Sequence, residues 1–231
     1  MTKPQQLLLD LPHRSASGRD DFLVAAANAS AVELIDQWPQ WPAHAAILVG
    51  PEGAGKSHLA QVWCAKAQAT AVRAHDLELE NIPELFHANA LCIEALDAGH
   101  INEYALFHAL NFARQEQGSI LLTSRAEPSQ INFNLPDLIS RLRALPIVHI
   151  LPPDDLLLRS VLVKLFADRQ ISVDDALINF IILRMPRSLG AARQLVNYID
   201  KQALIEKADV TRPFVARVIG HFLGPDLFNA D

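Results

Sequence analysis

Up to about residue 151, apolar residues come as five short, uninterrupted runs separated by amphipathic stretches: Ala45–Val49, Ala71–Arg73, Ala90–Ile93, Ser119–Thr123 and Ile147–Ile150. Runs this brief, without polar alternation, read as strands buried on both faces of a parallel sheet. Between them, Leu59, Val62, Trp63 and Lys66 trace one helical face, and Tyr104, Phe107, Leu110 and Asn111 trace another, opened by Asn102 as cap. Ahead of the first run, Ser30-Ala31-Val32-Glu33 has capping-box spacing for a helix with Ala31, Val32, Leu34, Ile35 and Trp38 on one side, stopped by Pro39 and Pro42. Strand and helix in alternation predict a doubly wound α/β domain over residues 21–151.

After Pro152-Pro153 the strand rhythm gives way to amphipathic helices. Asp154 and Asp155 open the first, where the helix dipole favours acids, and Lys164 and Arg169 lie toward its other end. Further helices are predicted over about 174–184 and 188–206, and a fourth opens at Thr211 and Pro213. Residues 152–231 read as a smaller α-helical domain. Residues 1–20 read as a tail that holds one apolar cluster, Gln6-Leu7-Leu8-Leu9-Asp10-Leu11. Asp10, Pro12 and the polar run after them favour exposure over packing on the chain's own core.

Composition excludes several classes. Half of the 231 residues are apolar, enough for a core without disulfides or metals, and a net charge of −6 argues against a general nucleic-acid coat. Cys64 and Cys92 lack CxxC or Cys/His spacing, as expected of reduced thiols in a cytoplasmic protein. No stretch approaches the apolar length of a membrane span or a signal peptide. The nine histidines show no ligand spacing, Ser124 and Ser140 lie outside any nucleophile elbow, and Trp38, Trp41 and Trp63 read as packing residues rather than a base-stacking platform. Charge is segregated: seven acids and no Lys or Arg lie between residues 74 and 113, whereas bases dominate 184–217. Solvated helix faces account for this, and a basic lid would also suit phosphates or an acidic partner.

The chemistry concentrates in Gly50-Pro51-Glu52-Gly53-Ala54-Gly55-Lys56-Ser57, which satisfies GxxxxGK[ST] directly after a strand and before a helix that continues through His58. Glycines let the backbone turn its N–H groups toward phosphates, the helix N-terminus adds positive potential, Lys56 reaches the outer phosphates, and the Ser57 hydroxyl suits Mg2+. The motif predicts a bound nucleotide, ADP or ATP. Hydrolysis needs carboxylates as well, one on the metal and one orienting the attacking water. The third run ends in Glu94-Ala95-Leu96-Asp97. Either Glu94 takes the metal position with Asp97 as substitute base, or Glu94 orients the water and Ser57 alone holds Mg2+. On both readings one carboxylate is missing, which predicts slow or absent turnover by this chain alone.

The phosphate loop, the tail, the stretch Pro136-Asp137-Leu138-Ile139-Ser140-Arg141-Leu142 and the segment around Arg187 together resemble the AAA+ family, and within it the DnaA-related branch, from Gln6 to about Phe222. The resemblance implies a parallel sheet of order 5-1-4-3-2 and a helical lid. It implies that Phe22 and Asn28 meet the adenine, that Thr123 and Ser124 form the first sensor, and that Arg187 is the second sensor on the lid. Here Ser188-Leu189-Gly190 departs from the more acidic stretch that often follows that arginine. It implies that Arg141, with Arg143 as alternative, is an arginine finger projecting from the subunit edge. Gln6, Leu7, Leu9 and Leu11 resemble the hexapeptide that docks on the bacterial sliding clamp, the beta subunit of DNA polymerase III. No helix-turn-helix segment is seen after the lid, so a truncated initiator is not expected. The implied function is a cytoplasmic, replisome-associated regulator that meets DNA through the clamp and stimulates hydrolysis of ATP bound to the DnaA initiator, with self-association possible. A self-sufficient ATPase of helicase-loader or remodelling type, and a clamp-tethered scaffold without a finger, are the competing readings.

Overall fold

The computed structural model describes residues 23–86 and 88–223. The expectations on Phe22 and on Gln6, Leu7, Leu9 and Leu11 lie outside the described residues. The five apolar runs form five parallel strands, β1 (Ala45–Val49), β2 (Thr70–Arg73), β3 (Ala90–Glu94), β4 (Ser119–Ser124) and β5 (Ile147–His149). Their order, β2-β3-β4-β1-β5, is the expected one read from the opposite edge. Strand periodicity divides the sheet into two faces. Ala45, Ile47 and Val49 join Leu91, Ile93, Ile120 and Leu122 on one, under α3 (Ile82–Leu85), α4 (Glu103–Gln115) and α5 (Pro136–Arg143). Ala46, Leu48, Ala90, Cys92 and Leu121 form the other, under α1 (Ala29–Gln37) and α2 (Lys56–Ala67). Each large aliphatic side chain so buried contributes roughly 1.5–3 kcal/mol.

Burial on both faces holds for β1, β3 and β4, with Glu94 and Ser119 half-buried at their ends. It fails for β2, which alternates between half-buried and exposed, and for β5, which is half-buried at Ile147 and Val148 and exposed at His149, because these are the sheet edges. Two helix readings are corrected. On α4 the buried face is Ala105, Leu106, Ala109, Leu110 and Ala113; of the predicted residues Leu110 is buried and Phe107 packs half-buried on the core, while Tyr104 is 67% exposed, and the alanines let the helix lie close on the sheet. On α1 the N-cap is Asn28 rather than Ser30, and Glu33 accepts a hydrogen bond from Gln37 one turn on instead of closing a capping box.

The tryptophans are packing residues. The Trp63 ring on α2 is fully buried, stacked on Trp41 at 5.4 Å and met edge-on by Trp38 at 6.1 Å. Lys66 ties the same helix to α1, donating to the Ile35 and Asp36 carbonyls at 3.0 Å each, where the helix C-terminus attracts a cation.

Beyond β5, α6 (Asp155–Ala167), α7 (Asp175–Ile182), α8 (Leu189–Glu206) and α9 (Arg212–Leu223) share a separate core that includes Leu158, Leu162, Phe166, Ile181, Leu195, Val215 and Ile219. Asp154, Asp174 and Ser188 cap three of these helices through their side-chain oxygens, which accept from the N–H groups of Leu157, Leu177 and Ala191. No helix among the described residues is long and apolar enough to cross a membrane.

Glu103, at the start of α4, fixes the entry into α5. Its carboxylate accepts from Asn134 N at 2.9 Å on each oxygen and from Leu135 N at 2.7 Å. Burial pushes this carboxyl up, but the donors from Asn134 and Leu135 outweigh it and hold the group below its ordinary range. A depressed carboxyl stabilises the fold above its unfolded pKa, and that contribution is lost as pH falls through the folded value. Glu103→Ala is therefore expected to cost about 1 kcal/mol at neutral pH. In thermal melts, the gap between wild type and variant should narrow below about pH 4.

Candidate functional site

The loop joining β1 to α2 lies at the carboxyl end of the sheet, where open α/β folds bind ligands. Gly50 leaves β1 against β5, and a Cβ there would lie 2.4 Å from the Ile150 carbonyl oxygen. Gly53 has φ +73°, and a Cβ there would lie 1.8 Å from Ser188 Oγ, so the lid rests directly on the loop. The Leu189 N–H donates to the Gly53 carbonyl at 2.9 Å across the same contact. Small residues at Ser188 and Gly190, the departure noted in the sequence, allow this approach.

Lys56 Nζ donates to the Gly50 and Pro51 carbonyls at 2.6 and 2.9 Å, folded over its own loop. Burial lowers its pKa, an effect that Asp97 opposes, Arg125 reinforces, and Glu52 and Glu94 further oppose. The Ser57 hydroxyl donates to Glu94 Oε2 at 3.4 Å, joining the α2 N-terminus to the end of β3. An all-oxygen pair of this kind suits a hard divalent cation completed by phosphate and water, so Ser57 and Glu94 are the residues that fit Mg2+.

Asp97 is engaged on both oxygens. Oδ1 accepts from Arg125 N at 2.8 Å, and Oδ2 accepts from Arg125 Nε at 2.7 Å. Burial raises its pKa, but the hydrogen bonds from Arg125 dominate and the carboxyl sits below its ordinary range. A carboxylate so occupied is poorly placed to take a proton from water.

The remaining candidates separate. Thr123 lines the cavity, 2% exposed, and its Oγ1 accepts from Ala95 N at 3.1 Å. Ser124 is fully buried and turned into its own turn, donating to the Ala126 carbonyl at 2.6 Å. His58 lines the cavity, and Arg193 on α8 donates to its Nδ1 at 3.4 Å. Asn28 is buried and shapes the preceding turn: its Oδ1 accepts from Ala25 N and its Nδ2 donates to the Leu23 carbonyl. Arg187 stands off the cavity wall, paired with Asp155 at 2.8 Å. Arg141 and Arg143 end α5 away from the cavity, with the Arg141 guanidinium 5.2 Å over the Phe107 ring.

Loop, sheet edge and lid enclose about 890 Å3, enough for a nucleotide. Its floor carries Lys56, Ser57, Glu94 and Thr123, and its lid wall is apolar at Leu157, Val161 and Leu189. Sequence reasoning missed five cations that line the cavity, Arg73, Arg125, Lys164, Arg169 and Arg193. Two had a legible signal: Arg73 and Arg125 stand at or just after the carboxyl ends of strands, the edge where ligands gather.

A parallel sheet of this order, a phosphate loop after β1 and a helical lid define the AAA+ fold. Solved structures agree. Domain III of the Thermotoga maritima replication initiation protein DnaA is similar with a TM-score of 0.73 and 16% identity, over 93% of this chain and 100% of that one. DnaA from Aquifex aeolicus, bound to AMPPCP, matches with a TM-score of 0.68 and 17% identity over 81% of this chain and 65% of its own. A RuvB from Thermotoga maritima matches with a TM-score of 0.70 and 16% identity, over 93% and 74%. No protein-family model matches the chain.

Proposed function

We propose that this chain is a DnaA-related regulator of the Hda type, in its alphaproteobacterial form, that holds ADP or ATP with Mg2+ in the cavity and acts on a DnaA initiator. The observation that carries the reading is the separation of two cationic sites. Lys56 belongs to the home cavity, whereas Arg141 lies at the end of α5 outside it, with no carboxylate pairing it among the described residues. A guanidinium held over an aromatic ring and left unneutralised suits a second subunit's phosphate, where it would stabilise charge on the transferring γ-phosphoryl group. The same guanidinium would also meet a second copy of this chain. Residues 21–151 act as the nucleotide domain and 152–231 as the lid. The tail delivers the protein to the clamp on DNA: three leucines entering preformed pockets would give an affinity around micromolar after the cost of ordering the segment.

The deciding experiment measures hydrolysis of initiator-bound ATP with clamp and DNA present. Full activity is expected from wild type and activity close to background from a variant with Gln6 and Leu9 changed to Ala; without clamp the two should be equally low. Stimulation indifferent to clamp and tail would remove the docking step. The contact between Ser57 and Glu94 favours a second reading, a self-sufficient ATPase using Glu94. Rapid turnover by the purified chain, abolished by Glu94→Gln, would establish it instead.

A further inference from the structure

Spacing in the sequence joins Cys64 and Cys92 in no motif, yet the fold brings the only two cysteines of the chain together. Cys64 lies on α2, Cys92 on β3, and both belong to the apolar layer where that helix packs on the sheet. Their thiols share a hydrogen bond. Cys92 is fully buried and Cys64 half-buried, so solvent reaches one member of the pair. Periodicity explains the meeting. Cys92 and Glu94 stand two apart on β3 and share a face, while Ser57 and Cys64 stand two helical turns apart on α2 and share a stripe. The seam between helix and strand thus has two rungs. Ser57 meets Glu94 at 3.4 Å at the ligand end, and Cys64 meets Cys92 further down.

We infer that Cys64 and Cys92 form an oxidation site: a hydroperoxide reacts at Cys64, Cys92 resolves the product, and the resulting disulfide clamps α2 to β3. The Cys64 thiolate attacks one peroxide oxygen, the O–O bond breaks, and the sulfur becomes a sulfenic acid as hydroxide leaves. Cys92 then attacks that sulfur, the S–O bond breaks, and an S–S bond forms. With hydrogen peroxide, the two thiols give up two electrons and two protons, and the oxidant leaves as two waters. The hydrogen bond from Cys92 favours a thiolate on Cys64 and outweighs burial and the Glu94 charge, holding this thiol below its ordinary range. A sulfenic acid condenses with a thiol within reach, and Cys92 is in place. Disulfides accept only a narrow range of backbone separations. The clamp therefore fixes α2 two turns from Ser57, which can no longer shift with its helix as phosphate and Mg2+ enter. Oxidation weakens nucleotide binding without altering the loop, a consequence that rests on the phosphate loop holding a nucleotide.

The test treats full-length wild type, Cys64→Ser and Cys92→Ala with hydrogen peroxide. It reads intact mass, free thiols, trapping of sulfenic acid by dimedone, and Mg2+-ADP affinity, with melting temperatures of the untreated proteins alongside. Wild type is expected to lose both thiols within one chain and to regain them with dithiothreitol. Cys92→Ala should carry dimedone at Cys64, and Cys64→Ser should stay unmodified. Oxidised wild type should bind ADP about fivefold or more weakly, with recovery on reduction. Disulfides only between chains, or thiols that survive treatment of folded wild type, would overturn the oxidation site, and wild type alone decides this. An internal disulfide that leaves ADP affinity unchanged would overturn its control of the nucleotide. Failure of reduced wild type to bind ADP would overturn the nucleotide reading instead, with the mass result still deciding the site.

Discussion

Replacing Arg141 with Ala is expected to reduce stimulation of initiator-bound ATP hydrolysis by about a thousandfold or more, the scale on which a finger arginine acts in trans. The fold should tolerate the change. Arg141 is half-buried, and its described partner is the Phe107 ring, a contact worth about 1 kcal/mol at a site of this exposure. Nucleotide affinity at the home cavity should be unchanged, because Arg141 does not line it. Arg143, exposed in the same helical turn, is the internal control. If Arg143→Ala abolishes stimulation and Arg141→Ala spares it, the assignment passes to the neighbour. If both variants stimulate fully, the chain acts without a finger.

The second large effect concerns Gly53. An alanine there must adopt φ near +73°, costing about 1–2 kcal/mol, and its Cβ must displace Ser188, whose Oγ and Cβ lie 1.8 and 2.6 Å from the added atom. Overpacking of this kind adds roughly 1–3 kcal/mol, so a total of about 3 kcal/mol is expected by denaturant unfolding, together with weakened nucleotide binding. The companion change Ser188→Gly removes both clashing atoms and sacrifices little capping. The double variant should regain the steric part and retain the backbone part. Additive losses from the two changes would mean that the lid does not rest on the loop in solution.

The phosphate loop was legible because its chemistry demands particular residues at fixed spacing, and the parallel strands because double burial leaves an unmistakable apolar run. The edge strands β2 and β5 look the same in sequence, since neither composition nor length records which strands lack a neighbour. The buried face of α4 was hidden because its alanines carry little hydrophobic weight yet decide how closely the helix lies. Asn28 was singled out for a role beside adenine, and what the sequence could not show is that its amide is spent on Ala25 and Leu23. Arg187 and Arg193 lie six positions apart around the start of α8, and only the helix geometry shows that Asp155 draws one aside while the other faces the cavity. Arg125 was readable by position, as the residue after a strand that ends at the site, but its orientation depends on an acid twenty-eight residues earlier in the chain.

All three tryptophans of the sequence sit in one aromatic stack at the junction of α1 and α2, and the four lid helices contain none. Intrinsic emission thus illuminates a single spot, on the very helix that begins at Lys56, and is blind to the other half of the molecule. Followed beside far-ultraviolet dichroism, which samples every helix, it separates melting of the sheet from melting of the lid without a label, and offers a built-in optical gauge of the nucleotide helix.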